Sequence, residues 1–241
     1  MKLGNLAFAC YLYSSMTGYD KSYDQLRDKT KPQLELHYPA HRQALLVWLR
    51  AWGCRQFVLE YHELASREIA DWYNQFAREL FPKETALLDL SDDRFQLIER
   101  AYAVLVDRPA GERKSRGGGL STVPVGPTDT AKILFALRPN ALVPWDEPMR
   151  AHFRLEGSGQ DYGQYLRKVQ GELQELWKDC GALGIPFQSL PARLGRPHSS
   201  LAKLVDEYFW VTITRKCPCP PADQLAEWTS WRRKAGGQAG G

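Results

Sequence analysis

Apolar residues along the chain recur mostly at steps of three and four. Ala65, Ile69, Trp72, Phe76 and Leu80 fall on one face of a helix. Pro82 closes that run, because a proline pushes the residue before it out of the helical conformation. Phe95, Ile98, Tyr102 and Leu105 repeat the pattern after Asp92 and Asp93, with Pro109 as the stop. Ala131, Ile133, Leu134 and Leu137 follow Thr128, which can cap a helix. Tyr162, Leu166, Val169, Leu173 and Trp177 predict a long helix that Gly181 can end. Leu201, Leu204, Val205 and Tyr208 predict another, and Ala44 to Leu49 form an apolar run that stops near Trp52-Gly53. Two stretches break the helical period. Residues 110–122 are glycine-rich and basic and read as a loop. Residues 210–214, Trp-Val-Thr-Ile-Thr, are β-branched and read as a short strand. The expected fold class is all-α with at most one small strand pairing, and residues 236–241 read as a flexible tail.

Composition narrows the class without naming a function. The chain has 241 residues, 44% of them hydrophobic and 25% charged, which suits a globular domain rather than a disordered or fibrous chain. No run reaches the ~20 apolar residues of a membrane span. No secretory lead opens the sequence, so a cytoplasmic protein with reduced thiols is expected. The five cysteines include Cys217 and Cys219, but no further pair stands at metal-ligand spacing. His37 and His41 are separated by Pro39, which argues against a helical metal pair, and His152 reads as structural. A net charge of +4 permits a nucleic-acid partner without requiring one. The basic residues cluster at Arg113, Lys114 and Arg116, at Arg215 and Lys216, and at Arg232, Arg233 and Lys234. Such clusters serve equally as a solvated face or as a phosphate-binding patch.

Residues 123–150, VPVGPTDTAKILFALRPNALVPWDEPMR, carry the candidate chemistry. The turn Pro124-Val125-Gly126-Pro127 joins the preceding helix to one that starts at Thr128 or Asp129. A helix–hairpin–helix of this kind can hold a phosphate on free backbone N–H groups, and Lys132, Lys114 and Arg116 can add charge. An ordinary connection between helices reads the same way. Pro148 suits an early helical position, which makes Asp146 an N-cap. The same geometry favours an ionised carboxylate, as a cleavage with an oxocarbenium-like transition state requires.

The segment from Ser121 to Phe153 resembles the helix–hairpin–helix DNA glycosylases. Their pattern runs Leu-Pro-Gly-Val-Gly, then a helix opening Thr-Ala, then a loop ending in Val-Asp. Here the turn is Val123 to Pro127, the pair is Thr130-Ala131, and the aspartate is Asp146. The earlier stretch LLVWLRAWGCRQF resembles the family's helix and loop that reach into the duplex. The resemblance covers residues 44–155, within a single domain of two helical lobes with a cleft, residues 1–235. The first hairpin glycine is replaced by Val125 or Pro124, depending on where a gap is placed, which weakens phosphate binding there. Members that also cut the backbone place a lysine just before Thr-Ala. This chain has Asp129 there, and Lys132, one turn on, is expected to face elsewhere. The four-cysteine iron–sulfur pattern of some relatives is absent.

The resemblance implies a monofunctional glycosylase that acts as a monomer on double-stranded DNA and needs no metal or cofactor. The target base leaves the stack, at a cost of a few kcal/mol. Arg55 and Gln56 are the wedge candidates that fill the gap. Val125, Gly126, Thr128, Lys132, Lys114 and Arg116 are the candidate backbone contacts, Trp52 and Trp145 the candidate base-pocket walls. Asp146 stabilises charge on the sugar and directs water to C1′. The substrate is a modified base. One candidate is a glucosylated hydroxymethylcytosine of phage DNA, which demands a roomy pocket with polar sugar-binding groups. Another is an oxidised, alkylated or deaminated base of ordinary repair. Readings of other classes are a non-catalytic DNA-binding module on the same scaffold and a helical protein–protein adaptor.

Overall fold

The computed structural model describes residues 1–114, 118–221 and 223–225. Helices dominate, as the periodicity predicts. In chain order they are α1 (Leu3–Met16), α2 (Tyr19–Lys29), α3 (Pro39–Ala51), α4 (His62–Phe76), α5 (Asp92–Val106), α6 (Pro127–Leu137), α7 (Glu147–Phe153), α8 (Gly159–Ala182), α9 (Leu190–Arg193) and α10 (Leu201–Phe209). One apolar core runs from Leu6 to Phe209 and takes in the inward faces of α3, α4, α5, α6 and α8. Burial of these faces supplies the main drive to fold, at about 25 cal/mol for each Å² of apolar surface removed from water. Trp72 is fully buried in α4, and its indole N–H donates to the Ala101 carbonyl of α5 at 2.8 Å. That bond satisfies the one polar atom of the ring.

Several predicted boundaries move. Helix α4 ends at Phe76, so Leu80 is buried from a turn beyond it. Helix α8 runs past Gly181 to Ala182, and Gly184 takes the left-handed conformation (φ 64°) after it. Trp177, placed on the apolar face by periodicity, is exposed. Both irregular stretches also differ from expectation. The described part of residues 110–122 is mostly strand, not loop. Pro109–Lys114 (β1) and Leu120–Pro124 (β2) pair antiparallel, with Gly111 opposite Val123 and Lys114 opposite Leu120. A ladder needs only extended backbone on both sides, and charged or glycine-rich sequence on an exposed ribbon does not prevent it. Residues 210–214 form no strand. They continue α10 as a π-helical turn in which the Arg215 N–H reaches the Trp210 carbonyl at 2.9 Å. Thr212 returns its hydroxyl to the Tyr208 carbonyl at 2.7 Å, a helical bond that overrides strand propensity. The tail at 236–241 and the cluster Arg232, Arg233 and Lys234 lie outside the described residues, as does Arg116.

The ribbon is inserted in the connection between α5 and α6. At its base the chain returns to where it left: the Val125 N–H donates to the Arg108 carbonyl at 2.8 Å, and the Gly126 N–H to the Val106 carbonyl at 2.9 Å. The two helices therefore pack as a hairpin although a ribbon separates them in sequence. Gly126, not Thr128, occupies the N-cap of α6, with φ 78° and ψ 166°. That combination is almost exclusive to glycine. Gly126→Ala is expected to lower unfolding stability by about 1–3 kcal/mol in urea melts. An unchanged midpoint would mean that this turn carries no strain.

Candidate active site

Asp146 sits where the sequence places it, at the N-cap of α7. Its backbone is extended (φ −123°, ψ 177°), and its Oδ1 accepts from the Met149 N–H at 2.9 Å. Its other oxygen, Oδ2, accepts from the Thr214 hydroxyl at 2.7 Å. The loop before it is held from three sides. The Tyr162 hydroxyl donates to the Val143 carbonyl at 2.9 Å, and the Tyr165 hydroxyl to the Pro144 carbonyl at 3.2 Å. The Trp145 indole donates to the Pro127 carbonyl at 3.0 Å, where the Tyr102 hydroxyl also donates at 2.9 Å. Arg150 stacks 5.5 Å from the Trp145 ring and donates to Thr128 Oγ1 at 2.9 Å. The carboxylate is thus fixed relative to α5, α6 and α8 at once.

Asp146 faces a cavity of about 260 Å³. Tyr13, Tyr19, Trp52 and Trp210 form its aromatic side. Trp210 stands nearly perpendicular to both tyrosines, with ring centres 5.3 Å from Tyr13 and 6.2 Å from Tyr19. The π-helical turn places Trp210 and Thr214 on the same wall, and Arg215, exposed, stands at the edge with its guanidinium 5.4 Å from the Trp210 ring. Interruptions of this kind in a helix frequently mark functional sites. Lys203 and Asp206 of α10 complete the lining, paired at 2.6 Å.

Four of the residues expected from sequence meet here: Asp146, Trp52, Trp145 and Lys132. Lys132 corrects an expectation, because it does not face elsewhere. Its Nζ donates to the Trp52 carbonyl at 2.6 Å and lies 3.6 Å from Cys54 Sγ. Trp145 is almost wholly buried among Tyr102, Tyr162 and Tyr165, so it acts more as a strut than as an open wall. The hairpin contacts fare differently. Val125 is fully buried, and the N–H groups of Val125 and Gly126 are spent on Arg108 and Val106, so neither is free for a phosphate. Thr128 uses its hydroxyl to accept from Arg150. Gln56, a wedge candidate, is engaged within the protein: its side-chain amide donates to the Val125 carbonyl at 2.6 Å and pins the loop after α3 to the hairpin. Arg55 and Lys114 are exposed and line neither this cavity nor the larger one.

The larger cavity, about 920 Å³, lies between α2 and the segment 195–200 and shares only Lys203 with the first. Its lining mixes charges, with Asp20, Asp24 and Asp28 of α2 beside Arg27, Lys31 and Lys83. His41 accepts the Glu35 N–H at 3.1 Å on its Nδ1, a structural role. Among the described residues no cluster of histidine, cysteine and acidic side chains could hold a metal, and no helix is long and apolar enough to cross a membrane.

Sequence reasoning missed Tyr13, Tyr19, Lys203, Asp206, Trp210 and Thr214, and noted Arg215 only as part of a basic cluster. One signal was available for two of them. The apolar positions of α10 are flanked on both sides by Lys203, Asp206 and Glu207, so the helix has no wholly polar face to present to water. Comparison with family models, curated proteins and solved structures found no match.

Asp129 stands behind the cavity, beside Cys54 and Lys132. Burial pushes its carboxyl up to about 6, against the opposing pull of Cys54, Lys132 and Gln56. Its Oδ2 has no hydrogen-bond partner among the described residues. A carboxyl raised on folding contributes fully at acid pH and loses that contribution as pH rises through about 6, amounting to about 3 kcal/mol. Asp129→Asn is expected to remove most of this loss. Urea melts from pH 4.5 to 7.5 should show the variant gaining on the wild type as pH rises. Parallel curves would contradict the assignment.

Proposed function

We propose that the chain is a DNA glycosylase that hydrolyses the N-glycosidic bond of a flipped-out modified base and leaves an abasic site. The observation that carries this reading is the placement of Asp146: a carboxylate held at both oxygens on the rim of an aromatic cavity, next to a hairpin of α5 and α6. Tyr19, Trp52 and Trp210 offer faces for a base, and the Lys132 and Arg215 cations stand on the same rim. Two helical lobes with a cleft between them belong to this reading.

The carboxylate of Asp146 faces the sugar. As the bond from C1′ to the base nitrogen breaks, its electron pair leaves with the base and positive charge grows on the sugar. The carboxylate stabilises that charge from a fixed position, so no reorganisation is needed when the charge appears. A water adds its oxygen to C1′ and passes its proton to Asp146, which returns it to solvent. Thr214 donates to Oδ2 and keeps the carboxylate aimed into the cavity. Lys132 has its ammonium on the Trp52 carbonyl, away from the role of a nucleophile. Hydrolysis without strand cleavage therefore remains the expected outcome, although a lysine lines the site.

A base without a bulky substituent suits a cavity of about 260 Å³, which lies below the usual range for drug-sized ligands. That favours an oxidised, alkylated or deaminated base over a glucosylated one within this cavity alone. The larger cavity meets it at Lys203 and has room for a sugar.

Asp146→Asn is the decisive variant, because asparagine caps a helix as well as aspartate does. Abasic sites formed on modified-base duplexes, read as alkali-dependent breaks, should fall at least about a hundredfold with the melting temperature retained. Thr214→Val should lower the rate by about tenfold or less through loss of one hydrogen bond. Borohydride should trap no covalent complex in the wild type. Breaks that persist in Asp146→Asn, or a trapped complex abolished by Lys132→Met, would overturn the hydrolytic assignment.

A further inference from the structure

Helix α10 buries three charged residues, and only part of that burial is explained by pairing. Arg196 donates to Asp20 at 2.5 Å and to Glu207 at 2.6 Å, which closes one end of the network. Lys203 lies 2.6 Å from Asp206, 3.8 Å from Glu207 and 3.4 Å from the Tyr13 hydroxyl. Its ammonium also stands 4.4 Å from the centre of the Tyr13 ring. Burial alone would favour the neutral amine, but Asp206, Tyr13 and Glu207 outweigh it and hold the ammonium charged. A buried ion pair of this kind is seldom the most stabilising choice, since apolar side chains of similar volume do as well or better. Its retention on a cavity wall points to a ligand.

The carboxylate of Asp206 is half used. Its Oδ2 accepts from Lys203. Its Oδ1 has no donor among the described residues. Both residues line the cavity that holds Asp146. The floor therefore offers an acceptor beside a donor, one hydrogen bond apart, inside an aromatic frame.

We infer that Lys203 and Asp206 read a base edge that sets a donor beside an acceptor, with Asp206 Oδ1 accepting from the base's N–H, such as the exocyclic amine of a cytosine or adenine, and Lys203 donating to the neighbouring acceptor. The inference rests on reading the cavity as a base pocket. A carboxylate only accepts and an ammonium only donates, so the edge must carry a donor next to an acceptor. Cytosine-type and adenine-type edges do so with an amine at the corner. A uracil-type edge also sets its N–H beside a carbonyl oxygen and meets the same rule, so the pair excludes edges that lack the donor and does not separate amino-bearing bases from uracil. Lys203 also lies where the departing base gathers the electron pair of the broken bond, so its hydrogen bond strengthens as the base leaves. Asp206 is then a specificity residue, and Lys203 both reads the base and stabilises it on departure.

The test titrates free bases against the quenching of tryptophan fluorescence, since Trp52 and Trp210 frame the cavity. The probes are 1-methylcytosine, 1-methyl-2-pyrimidinone (the same ring without the amine), 9-methyladenine and 9-methylpurine, methylated so that the glycosidic nitrogen offers no N–H. The amine-bearing base of each pair should bind at least about tenfold tighter than its amine-free counterpart, because an unpaired buried carboxylate costs that much or more. Asp206→Leu should erase the preference. Lys203→Met combined with Asp206→Leu keeps the volume and should fold while also losing it. Equal affinities, a preference that survives these substitutions in folded protein, or no binding of any base would each overturn the inference. The abasic-site assay judges catalysis separately. Abasic sites without an amino preference would leave the glycosylase standing and remove only this role. A preference without abasic sites would leave a base-binding pocket on a non-catalytic module.

Discussion

The carbonyl of Pro127 accepts two buried donors, the Trp145 indole and the Tyr102 hydroxyl. Much of the site depends on that junction. Tyr102 belongs to α5, Pro127 opens α6, and Trp145 immediately precedes Asp146. Each donor would lose a bond to water on burial and regain it only at this oxygen, so the three segments cannot drift apart without leaving a polar group unpaired. Tyr162 and Tyr165 of α8 fix the residues just upstream in the same way. The carboxylate is consequently positioned by rigid helices, although it stands at the end of a loop.

The opposite wall follows another logic. It is built from α1, α2, the end of α3 and α10, and it concentrates charge where charge is costly. Lys203, Asp206, Glu207 and Arg196 are all buried, and the Arg196 Nη1 and Glu207 Oε2 atoms have no partner among the described residues. Burial pushes Glu207 up to about 7 against the pull of Lys203 and Arg196. A fold selected only for stability would fill this space with leucine and phenylalanine. An apolar, hydrogen-bonded support under Asp146 thus stands against a charged cluster at Lys203 and Asp206 on the same cavity.

How much of this was legible varied with the range of the interaction. Helices α4, α5, α6, α8 and α10 follow from three- and four-residue spacing, because one apolar face must meet the core. Asp146 as an N-cap follows from Pro148 two positions later, a purely local rule. The ribbon at 109–124 was not legible, since its stability comes from main-chain pairing that any sequence of the right length can make. Nor was the turn at 210–214, where continuation from α10 prevails over β-branched side chains. Gln56 looked like an exposed loop residue until the hairpin brought the Val125 carbonyl beneath it. Tyr13 and Tyr19 lie far from α10 in sequence, so nothing near them announces the wall they share with Trp210.

The central claim is that a base enters this cavity with its sugar facing Asp146. The most direct measurement is the structure of the Asp146→Asn protein on a duplex carrying a single 2′-fluoro-arabino nucleotide of a modified cytosine or adenine, whose glycosidic bond resists cleavage. The expected result is an extruded base between Tyr19, Trp52 and Trp210, its C1′ facing residue 146 and its edge on Lys203 and Asp206. A duplex bound with every base stacked, or bound on a face away from residue 146, would contradict it.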